Sequence, residues 1–153
     1  MDVGEAIRSQ RAIRRFADRP IAGEVLEEIL DAARRAPSSM NEQRWAFVLV
    51  TGPERLRALA SVGEYADHLA GAAAAVALVV PEADEDWRRE SIAFDLGQCA
   101  QNLMLAAWER GIGAATTSSG SGIRPGLRRD RVVGVAWISS SIAIAGGNVA
   151  IRR

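Results

Sequence analysis

The sequence has no lysine, one cysteine and one histidine among its 153 residues, and all 19 basic residues are arginine. Without lysine the chain cannot form a Schiff base with pyridoxal phosphate and has no phosphate-loop lysine, which excludes pyridoxal-phosphate enzymes and ordinary nucleoside triphosphatases. The single cysteine, Cys99, leaves no partner for an internal disulfide, so a cytoplasmic protein is the simplest interpretation. A lone histidine, here His68, is far more often a surface or capping residue than a metal ligand or a base. We therefore expect no metal site.

The chain also has no net charge and no long apolar run. Acidic residues also number 19, so the net charge is zero and no global field attracts nucleic acid or an anionic membrane. Aromatic residues make up only 5% of the chain, which leaves no stacking platform for bases. The most apolar run, residues 69–80, is 12 residues long and too short to span a bilayer, and the N-terminus has no apolar segment typical of a secretory signal. A nucleic-acid-binding module using the arginines of residues 8–19 is therefore the least favoured hypothesis.

The sequence does contain enough apolar residues, 48%, for one core, which suits a single domain over residues 1–153. The longest periodic pattern predicts a helix over 87–110 that is buried on most of its circumference, as the central helix of the core or of a dimer interface. Cys99 lies on its apolar stripe and is interpreted as a packed hydrophobe. Other patterns predict helices over 3–10, 24–36 and 53–63, a weak helix over 64–69, and strands over 45–51, 72–80, 114–118 and 131–145.

A polar loop over residues 37–47 separates the second predicted helix from the first predicted strand. Pro37 ends the helix, because proline lacks an amide hydrogen and its ring clashes with the preceding turn. The loop that follows is rich in hydroxyl and carboxamide groups and carries no charge before Glu42. Because elements that must be buried anchor both of its ends, this loop is a good place to bind a polar, planar ligand.

A second polar stretch, residues 10–16, has three arginines within five positions: Arg11, Arg14 and Arg15. Unpaired arginines are costly to bury, so these side chains either face water or hold an anion. The residues themselves leave both interpretations open.

Two segments resemble the FMN-dependent nitroreductase family. RAIRRF at residues 11–16 is similar to that family's Arg-Ser-x-Arg-x-Phe segment, and APSSMNEQRW at 36–45 is similar to its Ala-Pro-Ser-Ser-x-Asn-x-Gln-Pro-Trp loop. DLGQ at 95–98 and GIG at 111–113 extend the match, which covers roughly residues 5–117. Ala12 and Arg44 replace the serine and the proline of the family pattern.

The resemblance implies an α+β fold with a mixed central sheet flanked by helices, and a homodimer with FMN at the subunit interface. It implies hydride transfer from NAD(P)H to a small electron-poor acceptor such as a nitroaromatic or a quinone. Since the flavin carries the hydride, no catalytic side chain is expected. The arginines would hold the flavin phosphate and the loop would contact the flavin ring. Small residues after the long helix would let the backbone approach one face of that ring. The implied cofactor-binding residues are Gln10, Arg11, Ala12, Arg14, Ser38, Ser39, Met40, Asn41, Thr116 and Thr117.

Residues 118–153 do not follow the family pattern. From Gly120 onward there are six arginines and one acid, Asp130, in a stretch rich in serine and glycine. We hypothesise that this part is truncated or read out of frame, which would leave a flavin-binding or dimerisation module without turnover. This inactive module is the alternative to the enzyme.

Overall fold

The computed structural model describes residues 1–61, 65–81, 83–117, 132–140 and 151–152, the last two ranges as backbone strands. The helices are α1 (Val3–Ser9), α2 (Gly23–Arg34), α3 (Pro53–Ala60) and α4 (Asp86–Glu109). Two 3-10 helices cover Ser39–Asn41 and Asp67–Gly71. The strands are β1 (Ala46–Thr51), β2 (Ala74–Val79), β3 (Ile112–Thr117), β4 (Val132–Ser140) and β5 (Ile151–Arg152).

The five described strands form one sheet in the order β3-β4-β2-β1-β5. The four ladders that join them are antiparallel, and β1 pairs with β2 from Ala46↔Val79 to Thr51↔Ala74. The parallel component among the described residues is one bridge, between Ala12 and Ala114. This arrangement and the solved structures compared below confirm the expected α+β class.

Each predicted element exists, with shifted ends. The strand expected within 131–145 is β4, and the part of the prediction beyond residue 140 lies outside the described residues, as does the proposed helix end at Gly63. The third strand begins at Ile112 rather than at residue 114. Gly111, at φ 71°, makes the left-handed turn that follows α4, and Gly113 is already in the strand.

Side chains on alternate positions of β2 face two different apolar clusters, as strand geometry requires. Ala74, Val76 and Leu78 pack with α2 and α4, whereas Ala75 and Ala77 pack with α3 and the second 3-10 helix. Helices therefore cover both faces of the sheet, and the larger cluster lies beneath α4.

The long helix α4 is the central helix of that larger cluster, but the expected burial on most of its circumference is wrong for the single chain, because only one stripe of the helix packs against the sheet and α2. Its buried stripe includes Ile92, Leu96, Cys99 and Leu103, and Cys99 is fully buried. Phe94, on the other side of the helix, is 72% exposed. Among the described helices none is long and apolar enough to cross a bilayer, and the cytoplasmic location stays a prediction.

Candidate functional site

The loop between α2 and β1 has an unusual backbone. Met40, Asn41 and Gln43 have φ values of 55°, 56° and 49°, in the left-handed region that side chains other than glycine rarely adopt. Each such residue costs roughly 1 kcal/mol or more. Ser39, Met40 and Asn41 are exposed. The loop thus presents its polar groups outward in a conformation that local preference does not favour.

Hydrogen bonds within the loop offset part of this cost. The Ser38 hydroxyl oxygen accepts from the Gln43 backbone N–H at 2.9 Å, and the Ser38 carbonyl accepts from the Asn41 N–H at 2.9 Å. The Trp45 N–H donates to the Gln43 carbonyl at 2.8 Å, just before the buried Trp45 side chain enters the core. Ser38 therefore braces the loop with its oxygen and keeps its hydroxyl hydrogen free to donate.

A buried carboxylate lies beneath the same loop. Asp95 of α4 is only 4% exposed, and its two oxygens accept the Ser39 backbone N–H at 3.2 and 3.1 Å. Arg44 forms an ion pair with Glu42, and its side chain is 10% exposed. The hydrogen bond to Glu42, and to a smaller extent the charge of Asp95, raise the pKa of Arg44 above its usual value. Two buried charges of opposite sign therefore support an exposed polar loop.

Asp95 was not singled out as a site residue from the sequence, although a signal for it exists. It lies three residues after Ile92 and four before Cys99, on the stripe of α4 that is otherwise apolar. An acid at a core position of an amphipathic helix must have a partner, because an unpaired buried charge is costly. Its partner, Ser39, is 56 positions away in the chain, so only the folded structure reveals it.

The arginine segment is attached to the edge strand β3. The Ile13 N–H donates to the Ala114 carbonyl at 3.0 Å, beside the Ala12–Ala114 bridge. Gly113 makes this possible, because a Cβ at that position would lie 2.9 Å from Ile13 Cβ and Cγ2. Strand β3 continues to Thr116, which is exposed, and Thr117, which is half-buried. The segment and the end of β3 therefore belong to one cluster.

The two candidate phosphate arginines differ in what they contact. Arg11 Nη1 donates to the carbonyls of Arg8, at 2.8 Å, and Gln10, at 2.7 Å, so its guanidinium folds back on the end of α1. Arg14 is exposed and has neither a hydrogen bond nor an ion pair within the described part of the chain. Gln10 is half-buried, with Nε2 at 4.0 Å from Met104 Sδ of α4. Of these two candidates, Arg14 is thus the one whose guanidinium has no described partner.

The predicted site residues form two groups rather than one. Gln10, Arg11, Ala12 and Arg14 belong to the segment that joins β3 at Ala114, and Thr116 and Thr117 end that strand, whereas residues 38–41 lie over Asp95. Among the described residues, no hydrogen bond or ion pair joins the groups. The first contacts α4 at Met104 and the second at Asp95, nine residues apart, which is about 13 Å along a helix.

An apolar groove opens beside the loop. It has a volume of about 450 Å³ and contains the exposed ring of Phe94 together with Pro37 and residues of the outer face of α4. The remaining lining residues are Ala93, Gly97, Gln98, Gln101 and Asn102.

An α+β fold with neutral donors on one exposed loop and an unpaired arginine on a second segment suits a ligand that is planar at one end and anionic at the other. Within the described ranges, no group of three or more histidine, cysteine or acidic side chains is arranged to hold a metal ion. The class that the fold defines is therefore that of an α+β protein with an exposed polar loop and an exposed arginine segment.

Comparison with known proteins places this class in a family. The Nitroreductase family profile matches residues 7–80. A protein of Methanothermobacter thermautotrophicus named "Putative NADH dehydrogenase/NAD(P)H nitroreductase" is 34% identical over 144 residues, 92% of this chain and 70% of its own length. A protein of the same name from Archaeoglobus fulgidus is 33% identical over 108 residues, 71% of this chain and 62% of its own length. The chain belongs to the nitroreductase family, a family of NAD(P)H oxidoreductases, which confirms the resemblance drawn from the motifs.

Solved structures show the same fold. A nitroreductase family protein from Clostridium novyi superposes with a TM-score of 0.80 at 19% identity, covering 92% of this chain and 85% of that one. An FMN-dependent nitroreductase from Clostridium difficile superposes with a TM-score of 0.76 at 22% identity, covering 97% and 91%. The first sequence relative aligns with 92% of this chain, so the similarity extends beyond residue 117, where the motifs end.

Proposed function

We propose that the protein is an FMN-dependent oxidoreductase that passes a hydride from NAD(P)H to an electron-poor acceptor such as a nitroaromatic or a quinone. The observation that carries the proposal is the loop at residues 38–41, which a member of this family holds in a strained, outward-facing conformation over a buried carboxylate. When bound, the flavin would supply the hydride chemistry. The protein then needs to bind, orient and shield it, without a side-chain base or nucleophile.

The residues present fit this cofactor. A flavin ring needs neutral donors and acceptors at its pyrimidine edge, and the groups exposed near Ser39, Met40 and Asn41 are of that kind. A phosphate needs charge-assisted donors, and the guanidinium of Arg14 has five N–H groups with no described partner. One guanidinium nitrogen of Arg11 already donates to carbonyls at the end of α1, so we assign Arg11 the smaller share of phosphate binding.

We also propose a homodimer with the flavin at its interface. The two groups of site residues contact α4 at separate positions, Asp95 and Met104, and a second subunit can bring the loop of one chain toward the arginine of the other. The groove at Phe94 supports this arrangement, because an exposed phenylalanine beside small residues is an apolar surface suited to a partner.

The spectrum of the purified protein tests the function directly. We expect a yellow protein, or one that becomes yellow with added FMN, whose flavin absorbance bleaches under anaerobic NADH or NADPH and returns when a quinone is added. A protein that binds FMN but is bleached by neither nucleotide would favour the non-catalytic flavin-binding module. A colourless protein that ignores added FMN would contradict both.

Replacing Arg14 tests the phosphate assignment. A desolvated charged hydrogen bond is worth about 2 kcal/mol, so Arg14→Ala should weaken FMN binding about 30-fold. Riboflavin, which lacks the phosphate, should bind the variant and the parent protein equally. Arg15→Ala removes the same charge one position away and serves as the control. Equal FMN affinity in Arg14→Ala and Arg15→Ala, measured by fluorescence titration, would contradict the assignment.

Mass measurement by light scattering tests the dimer. Phe94→Glu places a charge in the groove and should give a monomer that binds FMN weakly. Tyr65→Glu alters another exposed aromatic residue, 78% exposed and absent from the groove lining, and should leave the mass unchanged. A monomeric parent protein that binds FMN tightly would show that the interface is not needed.

A further inference from the structure

Asp95 is a charged side chain in the core, and the function proposed above gives it no role in binding the cofactor. Only two polar or charged residues of the described part of the chain are fully buried, Thr51 and Asp95. Asp95 does not contact the arginine segment through any described hydrogen bond; it holds the loop from below. Since replacing an acid by an apolar residue would remove a desolvation cost, the fold alone gives no reason for a carboxylate here.

The geometry shows what the carboxylate does. Both Asp95 oxygens accept one donor, the Ser39 N–H, at the point where the loop enters its left-handed residues. An acceptor at this position selects one orientation of the Ser39 peptide, and that orientation determines where the exposed groups of Met40 and Asn41 point. The hydrogen bonds inside the loop begin at Ser38 and end at Trp45, and none of them anchors the loop to another element. Asp95 supplies that anchor.

Arg44 supplies the opposite charge. Its side chain is nine-tenths buried, it pairs with Glu42 of the same loop, and its Nη1 atom is buried without a hydrogen-bond partner among the described residues. Here a second electrostatic contact, between Arg44 and Glu42, closes the loop beside the anchor of Asp95.

We propose that Asp95 is a positioning residue for the flavin ring: it acts through the Ser39 amide to hold the loop in the ligand-ready conformation. The inference rests on the proposed function. Without the anchor, the loop relaxes toward right-handed conformations, and only the fraction that remains correctly folded binds ligand. Because the loop is assigned to the flavin ring, loss of the Asp95 anchor must weaken the binding of FMN and of riboflavin to the same degree. Loss of Arg14, in contrast, should weaken the binding of FMN alone.

The test compares Asp95→Ala, Asp95→Asn and a control, Leu96→Ala, which shortens a buried apolar side chain next to Asp95 and leaves the acceptor of the Ser39 N–H in place. Asparagine keeps an acceptor oxygen for the Ser39 N–H and alanine keeps none. We expect Asp95→Ala to weaken FMN and riboflavin at least tenfold each, and Asp95→Asn to stay within about threefold of the parent protein. Leu96→Ala should lower the melting temperature while leaving flavin affinity within twofold.

Hydrogen exchange on the flavin-free protein gives a readout that needs no ligand. Amides of residues 39–44 should exchange at least tenfold faster in Asp95→Ala than in Leu96→Ala. Loop exchange or flavin affinity in Asp95→Ala equal to that of Leu96→Ala would overturn the positioning role. A loss confined to FMN, with riboflavin unaffected, would overturn it too, since the defect would then lie at the phosphate. A parent protein that binds no flavin would overturn the proposed function, whereas normal binding by the parent and by Asp95→Ala would overturn this inference alone.

Discussion

Gly113→Ala is the substitution for which the structure supplies the magnitude most directly. A Cβ at this position would lie 2.9 Å from Ile13 Cβ, 2.9 Å from Ile13 Cγ2 and 3.1 Å from Ile13 Cγ1. Real Cβ atoms essentially never approach that closely, so the segment that carries Arg11 and Arg14 must move away from β3. Overpacking of this kind costs roughly 1–3 kcal/mol. Loss of the Ile13 N–H bond to the Ala114 carbonyl would add about 1 kcal/mol.

Chemical denaturation of the flavin-free protein measures this cost, and the parent chain offers two controls. Gly23→Ala adds the same methyl group at the start of α2, where nothing lies within 4 Å, and should be neutral or slightly stabilising. Ile13→Gly removes the atoms that clash. In that background Gly113→Ala should cost less than about 0.5 kcal/mol, because the coupling between contacting residues is lost.

If Gly113→Ala lowered the free energy of unfolding equally in the parent protein and in the Ile13→Gly background, the close approach of Gly113 and Ile13 would not be the cause of the cost. The same conclusion would follow if Gly113→Ala were as harmless as Gly23→Ala. A secondary expectation is weaker FMN binding by Gly113→Ala, since the displaced segment carries the arginine assigned to the phosphate.

Two further predictions follow from ionisation. Burial raises the pKa of the Cys99 thiol to about 12, so only about one thiol in ten thousand is ionised at pH 8. An aromatic disulfide reagent should therefore label Cys99 only after denaturation, and rapid labelling of the native protein would contradict its burial. Burial first, and the charge of Arg14 second, lower the pKa of His68 below its usual value near 6.5. The stability that His68 contributes is thus complete above about pH 6.5 and is lost as the pH falls through its lower folded pKa. His68→Gln should lessen the loss of stability on acidification, and an unchanged pH profile of the melting temperature would count against this.

Local pattern alone was enough to predict much of the fold. Helical spacing located α2 and α4, and short apolar runs located β1 and β2. Pro37 marked the start of the polar loop between α2 and β1. These predictions succeed because they depend on near neighbours: which residues share a helix face, and where proline or glycine interrupts a backbone. The motif residues of the loop and of the arginine segment identified the family for the same reason, since each motif is contiguous.

The order of the sheet could not be read in this way. Strand β4 lies between β3 and β2, although it follows both in the chain, and it pairs with both. Sequential order alone favours neighbouring strands pairing with one another. The position of β4 is a property of the packed domain, because strands that are distant in the chain meet only when it folds.

The sequence by itself thus determined the elements, the family and the two stretches that carry its motifs. The tertiary structure alone decided how those stretches are held: Asp95 beneath Ser39 across 56 positions, Ile13 against Gly113, and Arg11 turned back on α1 while Arg14 stays open to solvent. The physical reason is that a hydrogen bond or a close approach depends on distances of a few ångströms. Those distances exist only after distant segments have packed on the same helix and the same sheet.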